Sequence, residues 1–174
     1  MSVSISSINY CPVKSISFQT VSDCKIRKNI GIVGDRVFAF SKGLESNQAQ
    51  QFEKNLDERR GKWNKILTLK NSPMLNKYNF KFKDNKLTFT EKNNEILTID
   101  VSKTSEYDLL SSKILELENS LQKPIFLMKN VDIPFFDTSI SNKTVLNHSI
   151  SFLNNKSIED FEKKNQSDNR TSQI

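Results

Sequence analysis

The chain has 174 residues, and its 26 lysine and arginine residues against 20 acidic residues give a formal net charge of +6 at pH 7. Hydrophobic residues make up 36% of the sequence, and its twelve phenylalanines favour a folded protein over a disordered one. No apolar run approaches the ~20 residues of a transmembrane helix, and the N-terminus lacks the blocks of a secretory signal, which predicts a soluble cytoplasmic protein without a membrane partner.

The positive charge is dispersed along the chain. Lysines and arginines stand among acidic residues, as in residues 53–60, and no arginine-rich helix or aromatic stacking motif accompanies them. Nucleic-acid binding is therefore not expected, although the net charge alone would permit it. The two cysteines, Cys11 and Cys24, are too few for a metal site and are predicted to be small buried side chains without a disulfide.

The first two thirds of the chain alternate in the way that is typical of β-strands. Val3 and Ile5 alternate with serines and predict a first, half-buried strand. The apolar run at residues 37–40 follows a glycine turn and predicts a strand that is covered on both faces. Three later segments alternate and are separated by short turns containing asparagine, which predicts a meander. The segments are 78–82, 87–89 and 96–99, and the turns are 84–85 and 93–94.

One helix is clearly indicated. Five aliphatic side chains recur at helical spacing between residues 107 and 121, and this apolar stripe is predicted to face the core. Pro124 ends the helix, and residues 125–128 predict a buried strand. The polar segment 48–60 fits either a short helix or a loop. The stripe consists of Leu109, Leu110, Ile114, Leu117 and Leu121.

The last part of the chain predicts the beginning of a second structural unit. Residues 131–143 are rich in turn-forming residues and indicate a crossing, with the cluster 135–137 as a packing hinge. Residues 149–153 then predict a strand, and Ser157 is a good N-cap for a helix that follows it.

These elements together predict a β-rich α+β fold. Residues 1–130 are expected to form a twisted antiparallel barrel or half-barrel with one packed helix. Residues 131–174 are expected to supply a linker and the first strand and helix of an incomplete second barrel.

Two short segments near the N-terminus, 10–15 and 31–38, have the composition of an anion site. In the first, a proline stiffens the backbone that leads to Lys14 and Ser15. In the second, two glycines bracket a turn that leads to Arg36. A lysine is a compact point charge and an arginine is a planar fork of donors, which together suit a phosphate.

A structural interpretation of the same residues stays open. Lys14 then lies on the surface, after a turn that follows the first strand. Asp35, beside the arginine, then satisfies backbone donors or orients its neighbour and has no role as a ligand.

The two segments resemble MOSC proteins, relatives of the C-terminal domain of molybdenum cofactor sulfurase and of the mitochondrial amidoxime-reducing component. The resemblance lies in Pro-Val-Lys-Ser at 12–15, in Gly-Ile-Val-Gly-Asp-Arg-Val-Phe at 31–38 and in the segment 148–160, and it covers nearly all of the chain. In that family the molybdopterin cofactor lies between an N-terminal β-barrel domain and the MOSC domain proper. The resemblance implies four contacts for its phosphate and pterin, namely Lys14, Ser15, Arg36 and Ser157.

Two positions depart from the family pattern. Cys11 stands where the family usually has an aromatic residue, and the sequence stops at Ile174, before the family's arginine-asparagine segment and molybdenum-ligating cysteine. The resemblance therefore implies a truncated protein that has phosphate contacts but lacks the metal ligand, and so lacks sulfurtransferase or reductase activity of its own. Some relatives are fused to a pyridoxal phosphate domain, but this sequence supplies no lysine site for that cofactor.

The alternative is a β-barrel module that is not an enzyme and that binds a protein partner or an anionic ligand. An incomplete second barrel would leave open strand edges, and open edges invite pairing. The expected partners are a separate C-terminal MOSC half or a second copy of the chain.

Overall fold

The structure, a computed structural model, describes residues 4–16 and 18–136 and five positions of the C-terminal segment, 156, 159, 160, 162 and 163. The described residues adopt a mixed α+β fold that is rich in strands, as predicted, and the strands form four small sheets. The strands are β1 (Ile8–Tyr10), β2 (Gln19–Val21), β3 (Ile26–Arg27), β4 (Gly31–Ile32), β5 (Phe38–Phe40), β6 (Tyr78–Lys83), β7 (Lys86–Glu91), β8 (Asn94–Asp100) and β9 (Leu127–Lys129). The α-helices are α1 (Ser46–Lys54), α2 (Leu56–Arg59) and α3 (Tyr107–Leu117), and short 3₁₀ turns span Trp63–Lys65, Pro73–Lys77 and Thr104–Glu106.

Strand β5 lies at the centre of the fold because partners occupy both of its edges. On one edge it pairs antiparallel with β9. On the other edge Phe38 bridges Val13 in parallel, and the carbonyl of Phe40 accepts the N–H of Leu67 at 2.9 Å. All the side chains of β5 are buried, so the predicted strand covered on both faces is confirmed.

Side chains that alternate along β5 divide the core into two clusters. Phe38 and Phe40 belong to the larger cluster, which the meander and α3 complete. Ala39 belongs to the second cluster, where Phe52 of α1 and Phe135 pack. Because burying a phenylalanine side chain contributes roughly 1.5–3 kcal/mol, the two clusters stabilise β5 from both faces.

The predicted meander is confirmed as the sheet β6-β7-β8. Phe80 and Phe89 stack across β6 and β7 with their ring centroids 4.9 Å apart. Two-residue turns with positive φ at both positions join the strands, a geometry that matches the twist of a hairpin. The second turn lies at Lys92 and Asn93, one residue earlier than predicted, because Asn94 already pairs within the sheet.

Helix α3 begins at Tyr107 as predicted but ends at Leu117, well before Pro124. The backbone of Glu118 leaves the helical region, with φ −126° and ψ 72°. Leu121 is nevertheless buried, so its side chain reaches the core from the loop that follows the helix.

The apolar stripe of α3 is narrower than predicted. Leu110 and Ile114, four residues apart, are buried in the larger cluster. Leu109 is 54% exposed and Leu117 is 38% exposed, so their prediction as core residues is wrong. They flank the buried face because each residue of an α-helix is rotated by about 100° from the one before it.

Segment 48–60 is helical rather than a loop, and it contains most of α1 and all of α2. Only Ala49 and Phe52 of α1 are buried, so its apolar pattern is too sparse to separate helix from loop in the sequence. Helices α1 and α2 therefore precede α3, and the expectation of one packed helix is corrected.

The first strand begins later in the chain than predicted. Ile5 is 70% exposed and belongs to no strand, whereas Ile8 pairs with Val21 at the start of β1. Pairing with β2 therefore determines where β1 begins, and the weak alternation around Ile5 does not. Val3 lies outside the described residues.

The C-terminal predictions fall mostly outside the described part of the chain. This holds for Asp137, for the strand 149–153 and for Ser157. The described positions in and beside the helix predicted from Ser157 are all helical, including Lys156, which precedes the predicted N-cap. None of the described helices has the length and apolar character that a membrane crossing needs.

Candidate functional site

The two segments that the sequence singles out lie side by side. The backbone N–H of Arg36 donates to the carbonyl of Cys11 at 2.6 Å, and that of Phe38 donates to the carbonyl of Pro12 at 3.0 Å. The N–H of Lys14 in turn donates to the carbonyl of Phe38 at 2.8 Å. The segments are therefore held by a parallel pairing, and each one fixes the backbone of the other.

Ser15 and Arg36 both have left-handed backbone conformations, with φ of 60° and 53°. Lys14 and Ser15 form the tip of a turn that is closed by the N–H of Ile16 donating to the carbonyl of Val13 at 3.1 Å. Positive φ is uncommon outside glycine, asparagine and aspartate, and such residues cost roughly 1–3 kcal/mol each. Conformations of this kind concentrate at ligand sites, where surrounding contacts enforce them.

The carboxylate of Asp35 joins the two segments. Its Oδ1 accepts the backbone N–H of Cys11 at 2.9 Å, and its Oδ2 accepts Nη1 of Arg36 at 2.6 Å. Burial raises the pKa of this carboxyl, while the N–H of Cys11 and the charges of Arg36 and Lys14 act in the opposite direction. The prediction that Asp35 satisfies a backbone donor and orients its neighbour is confirmed.

Arg36 contacts this carboxylate directly, and the positive charges of Arg36 and Lys14, which lie on different segments, both lower its pKa. Lys14 is only 4% exposed, so the alternative of a surface lysine is wrong. The side chain of Arg36 is 32% exposed, and its guanidinium carbon lies 5.3 Å from the centroid of the Phe136 ring. Ser15 is partly exposed at the tip of the turn. The four residues Lys14, Ser15, Asp35 and Arg36 are termed the Asp35 cluster below.

Tyr10 and Gly34 form a close contact beside the Asp35 cluster. This contact was not predicted from the sequence. Gly34 has φ +97°, and a Cβ atom at this position would lie 3.3 Å from Cε2 of Tyr10. Burial raises the pKa of the Tyr10 hydroxyl, and the negative charge of Asp35 adds to the rise. The glycine therefore lets a neutral aromatic side chain pack close to the cluster.

The two cysteines differ in their surroundings. Cys11 is buried, and its thiol donates to the carbonyl of Val13 at 2.7 Å. Burial raises the pKa of this thiol to about 11, so it is uncharged at neutral pH. Cys24 is partly exposed, contrary to its prediction as a buried side chain. Among residues 4–16, 18–136 and the described C-terminal positions, no group of three or more histidine, cysteine or acidic residues is placed to hold a metal ion.

The structure thus places Lys14, Ser15 and Arg36 on adjacent segments, whereas Ser157 lies outside the described residues. No family model, curated protein or solved structure matches the chain. What the cluster can bind follows from its side chains, which are an ammonium group, a guanidinium group and a hydroxyl. This set of donors fits a phosphate group.

Proposed function

We propose that the chain is a MOSC-type protein whose Asp35 cluster binds the phosphate of the molybdopterin cofactor. One observation carries the proposal: backbone hydrogen bonds hold the segments of Lys14 and Arg36, which are remote in the sequence, side by side. The resemblance of segments 12–15 and 31–38 to the MOSC motifs points to the same cations.

Each side chain of the cluster suits one part of a phosphate. Lys14 supplies a point charge, and Ser15 supplies a hydroxyl at the tip of its turn. Arg36 gives one donor to Asp35, and a guanidinium has five N–H groups in a planar fork. A hydrogen bond to a charged group contributes roughly 1.5–3 kcal/mol, so loss of either cation would weaken phosphate binding measurably.

The proposed architecture is that of the family. Residues 1–130 would form the N-terminal β-barrel domain, and residues 131–174 would open the MOSC domain. When bound, the cofactor supplies the sulfur-transfer or reductive chemistry of MOSC proteins. The residues of this chain bind and orient its phosphate, and the uncharged thiol of Cys11 is no substitute for the family's metal-ligating cysteine. The protein would act in the cytoplasm.

The test is the retention of molybdopterin by purified variants. The protein is mixed without oxygen with cofactor released from a molybdoenzyme and is separated by gel filtration. Retained pterin is then measured by the fluorescence of its oxidised form. Lys14→Met and Arg36→Gln are each expected to retain about tenfold less than the wild type, since about 1.4 kcal/mol corresponds to a factor of ten.

Arg60→Gln is the matched control. Arg60 also pairs with an aspartate, Asp57, at 3.2 Å and is also partly exposed, but it lies at the end of α2. Retention equal to the wild type is expected for this variant. Equal retention by Lys14→Met and Arg36→Gln would overturn the assignment of these cations, and inorganic phosphate should compete with the cofactor if its phosphate is the group recognised.

Exposed apolar side chains favour a second candidate function, a module that binds a second copy of the chain. Phe18 is 68% exposed just before β2, and Ile26 is 67% exposed in β3. Both lie in or beside two-stranded sheets, whose edges can pair with other strands. Sedimentation velocity should then detect a dimer that Phe18→Ser together with Ile26→Ser abolishes. A wild-type protein that stays monomeric at all concentrations tested would exclude this candidate.

A further inference from the structure

We propose that Asp35 determines which anions the cluster accepts, admitting doubly charged anions and rejecting singly charged ones. This inference rests on the proposed function, because it concerns the same cations. It adds a role for a residue that the proposed phosphate contacts do not include.

Asp35 already holds the place beside Arg36 that a ligand oxygen would take. Its Oδ2 lies 2.6 Å from Nη1 of Arg36, and its Oδ1 is anchored to the backbone N–H of Cys11 at 2.9 Å. Hydrogen bonds to both oxygens thus hold the carboxylate in position. An acceptor held within the same chain competes with dissolved ligands at a high effective concentration.

This arrangement favours doubly charged anions over singly charged ones. A singly charged anion that displaces Asp35 from Arg36 makes a contact similar to the one that it breaks. It also loses translational freedom on binding, so its binding is not favoured. A doubly charged anion interacts with Arg36 and also with Lys14, which the paired segments hold side by side, and therefore gains more than the displaced contact. Burial of Lys14 strengthens this difference, because charges interact more strongly away from water.

Of the titratable groups that meet at the cluster, Asp35 is the one that supplies negative charge. The groups that face it are Tyr10, Cys11, Lys14 and Arg36. Burial raises the pKa of the Tyr10 hydroxyl and of the Cys11 thiol, so both are uncharged at neutral and acidic pH. The negative charge on this side of the two cations therefore comes from the Asp35 carboxylate.

Sulfate and methanesulfonate are suitable probes, since both are built on tetrahedral sulfur and they differ in charge. Isothermal titration calorimetry at constant ionic strength gives the ratio of the two dissociation constants. Asp35→Asn keeps an oxygen for the N–H of Cys11 and removes the charge. We expect the preference for sulfate to fall at least tenfold in this variant, through a gain in methanesulfonate binding.

Asp57→Asn is the control, since Asp57 also pairs with an arginine, and its ratio should equal that of the wild type. If Asp35→Asn does not fold, the wild type is measured at about pH 4 and about pH 7.5, between which both probes stay ionised. Burial raises the pKa of the Asp35 carboxyl above the ordinary 3.8, so its partial protonation at the acidic pH should lower the preference for sulfate.

Sulfate binding that requires Lys14 and Arg36 but keeps an unchanged ratio in Asp35→Asn and at both pH values would overturn this inference and leave the proposed function standing. Absence of sulfate and molybdopterin binding from the wild type and from Asp35→Asn would overturn both.

Discussion

The guanidinium carbon of Arg59 lies 4.1 Å from the centroid of the Phe135 ring. Arg59 is 2% exposed, and it donates through Nε to the carbonyl of Phe52 at 2.7 Å and through Nη1 to the carbonyl of Ile133 at 2.6 Å. Burial lowers the pKa of this guanidinium to about 10, and the charge of Glu53 opposes the change. One side chain therefore connects the first two helices to the segment that follows β9.

Arg59→Lys should destabilise the fold by roughly 2–3 kcal/mol, because a lysine keeps the charge but cannot reproduce the planar fork of donors. Chemical denaturation measures the free energy of unfolding. The neighbouring Arg60→Lys is the control, since Arg60 is partly exposed and pairs with the exposed Asp57, and it should cost less than ~1 kcal/mol. Equal costs for the two variants would contradict the role given to Arg59.

Gly34→Ala should destabilise the protein more than Gly31→Ala. Both glycines have positive φ, at +97° and +84°, so both substitutions strain the backbone by roughly 1 kcal/mol or more. At Gly34 the new Cβ atom would lie 3.3 Å from the Tyr10 ring. At Gly31 no atom lies within 4 Å of the new Cβ. Thermal unfolding of the two variants measures the difference, and equal losses would mean that the ring of Tyr10 moves aside without cost.

Cys24 should react with a thiol reagent in the folded protein, whereas Cys11 should not. Burial and a raised pKa of about 11 keep the thiol of Cys11 protonated and inaccessible, while Cys24 is partly exposed. Titration with Ellman's reagent is expected to detect one fast thiol in the native state and two after unfolding. Cys24→Ser supplies the control, and rapid native reaction of this variant would contradict the burial of Cys11.

The stability of the fold should fall in acid through Glu118. Burial of this carboxylate alone would raise its pKa, but Nζ of Lys77 at 2.6 Å and the hydroxyl of Tyr78 at 2.7 Å lower it below the ordinary 4.5. The unfolded chain therefore binds more protons, so this contribution is present above pH 4.5 and is lost as the pH falls through the folded pKa. Glu118→Gln should be less stable at neutral pH and lose less stability on acidification.

Glu116→Gln tests whether this acid sensitivity is specific to Glu118. Glu116 pairs with Lys113 at 2.9 Å, but its side chain is 66% exposed, so water screens the pair. Its denaturation profile between pH 6 and the acid limit should follow that of the wild type. A loss of acid sensitivity in both variants would assign the effect to general surface charge.

The meander could be predicted from the sequence because its register follows from local alternation and from two-residue turns. Strand β1 could not, since its limits depend on pairing with β2, and the alternation around Ile5 is not stabilised by any partner strand. The exposed positions of Leu109 and Leu117 were missed for a related reason. Helical spacing gives a stripe, but the width of the buried part depends on what packs against it.

Within the site, the contacts of Asp35 with a backbone donor and with Arg36 followed from residue chemistry, while the binding of an anion by Lys14 and Arg36 stays a prediction. The burial of Lys14 and the contact between Tyr10 and Gly34 did not follow from residue chemistry. Both arise when the segments pair in parallel, and no local pattern in either segment specifies a parallel pairing.

The position of β5 between early and late segments has a consequence for synthesis of the protein. On one edge Phe38 pairs with residues that precede it and Phe40 with Leu67, but β9, their partner on the other edge, lies at the far end of the described residues. At roughly 5–20 residues per second, the two strands leave the ribosome several seconds apart. During that interval the nascent chain presents an open, apolar strand edge, so this is the stage at which chaperones should engage it.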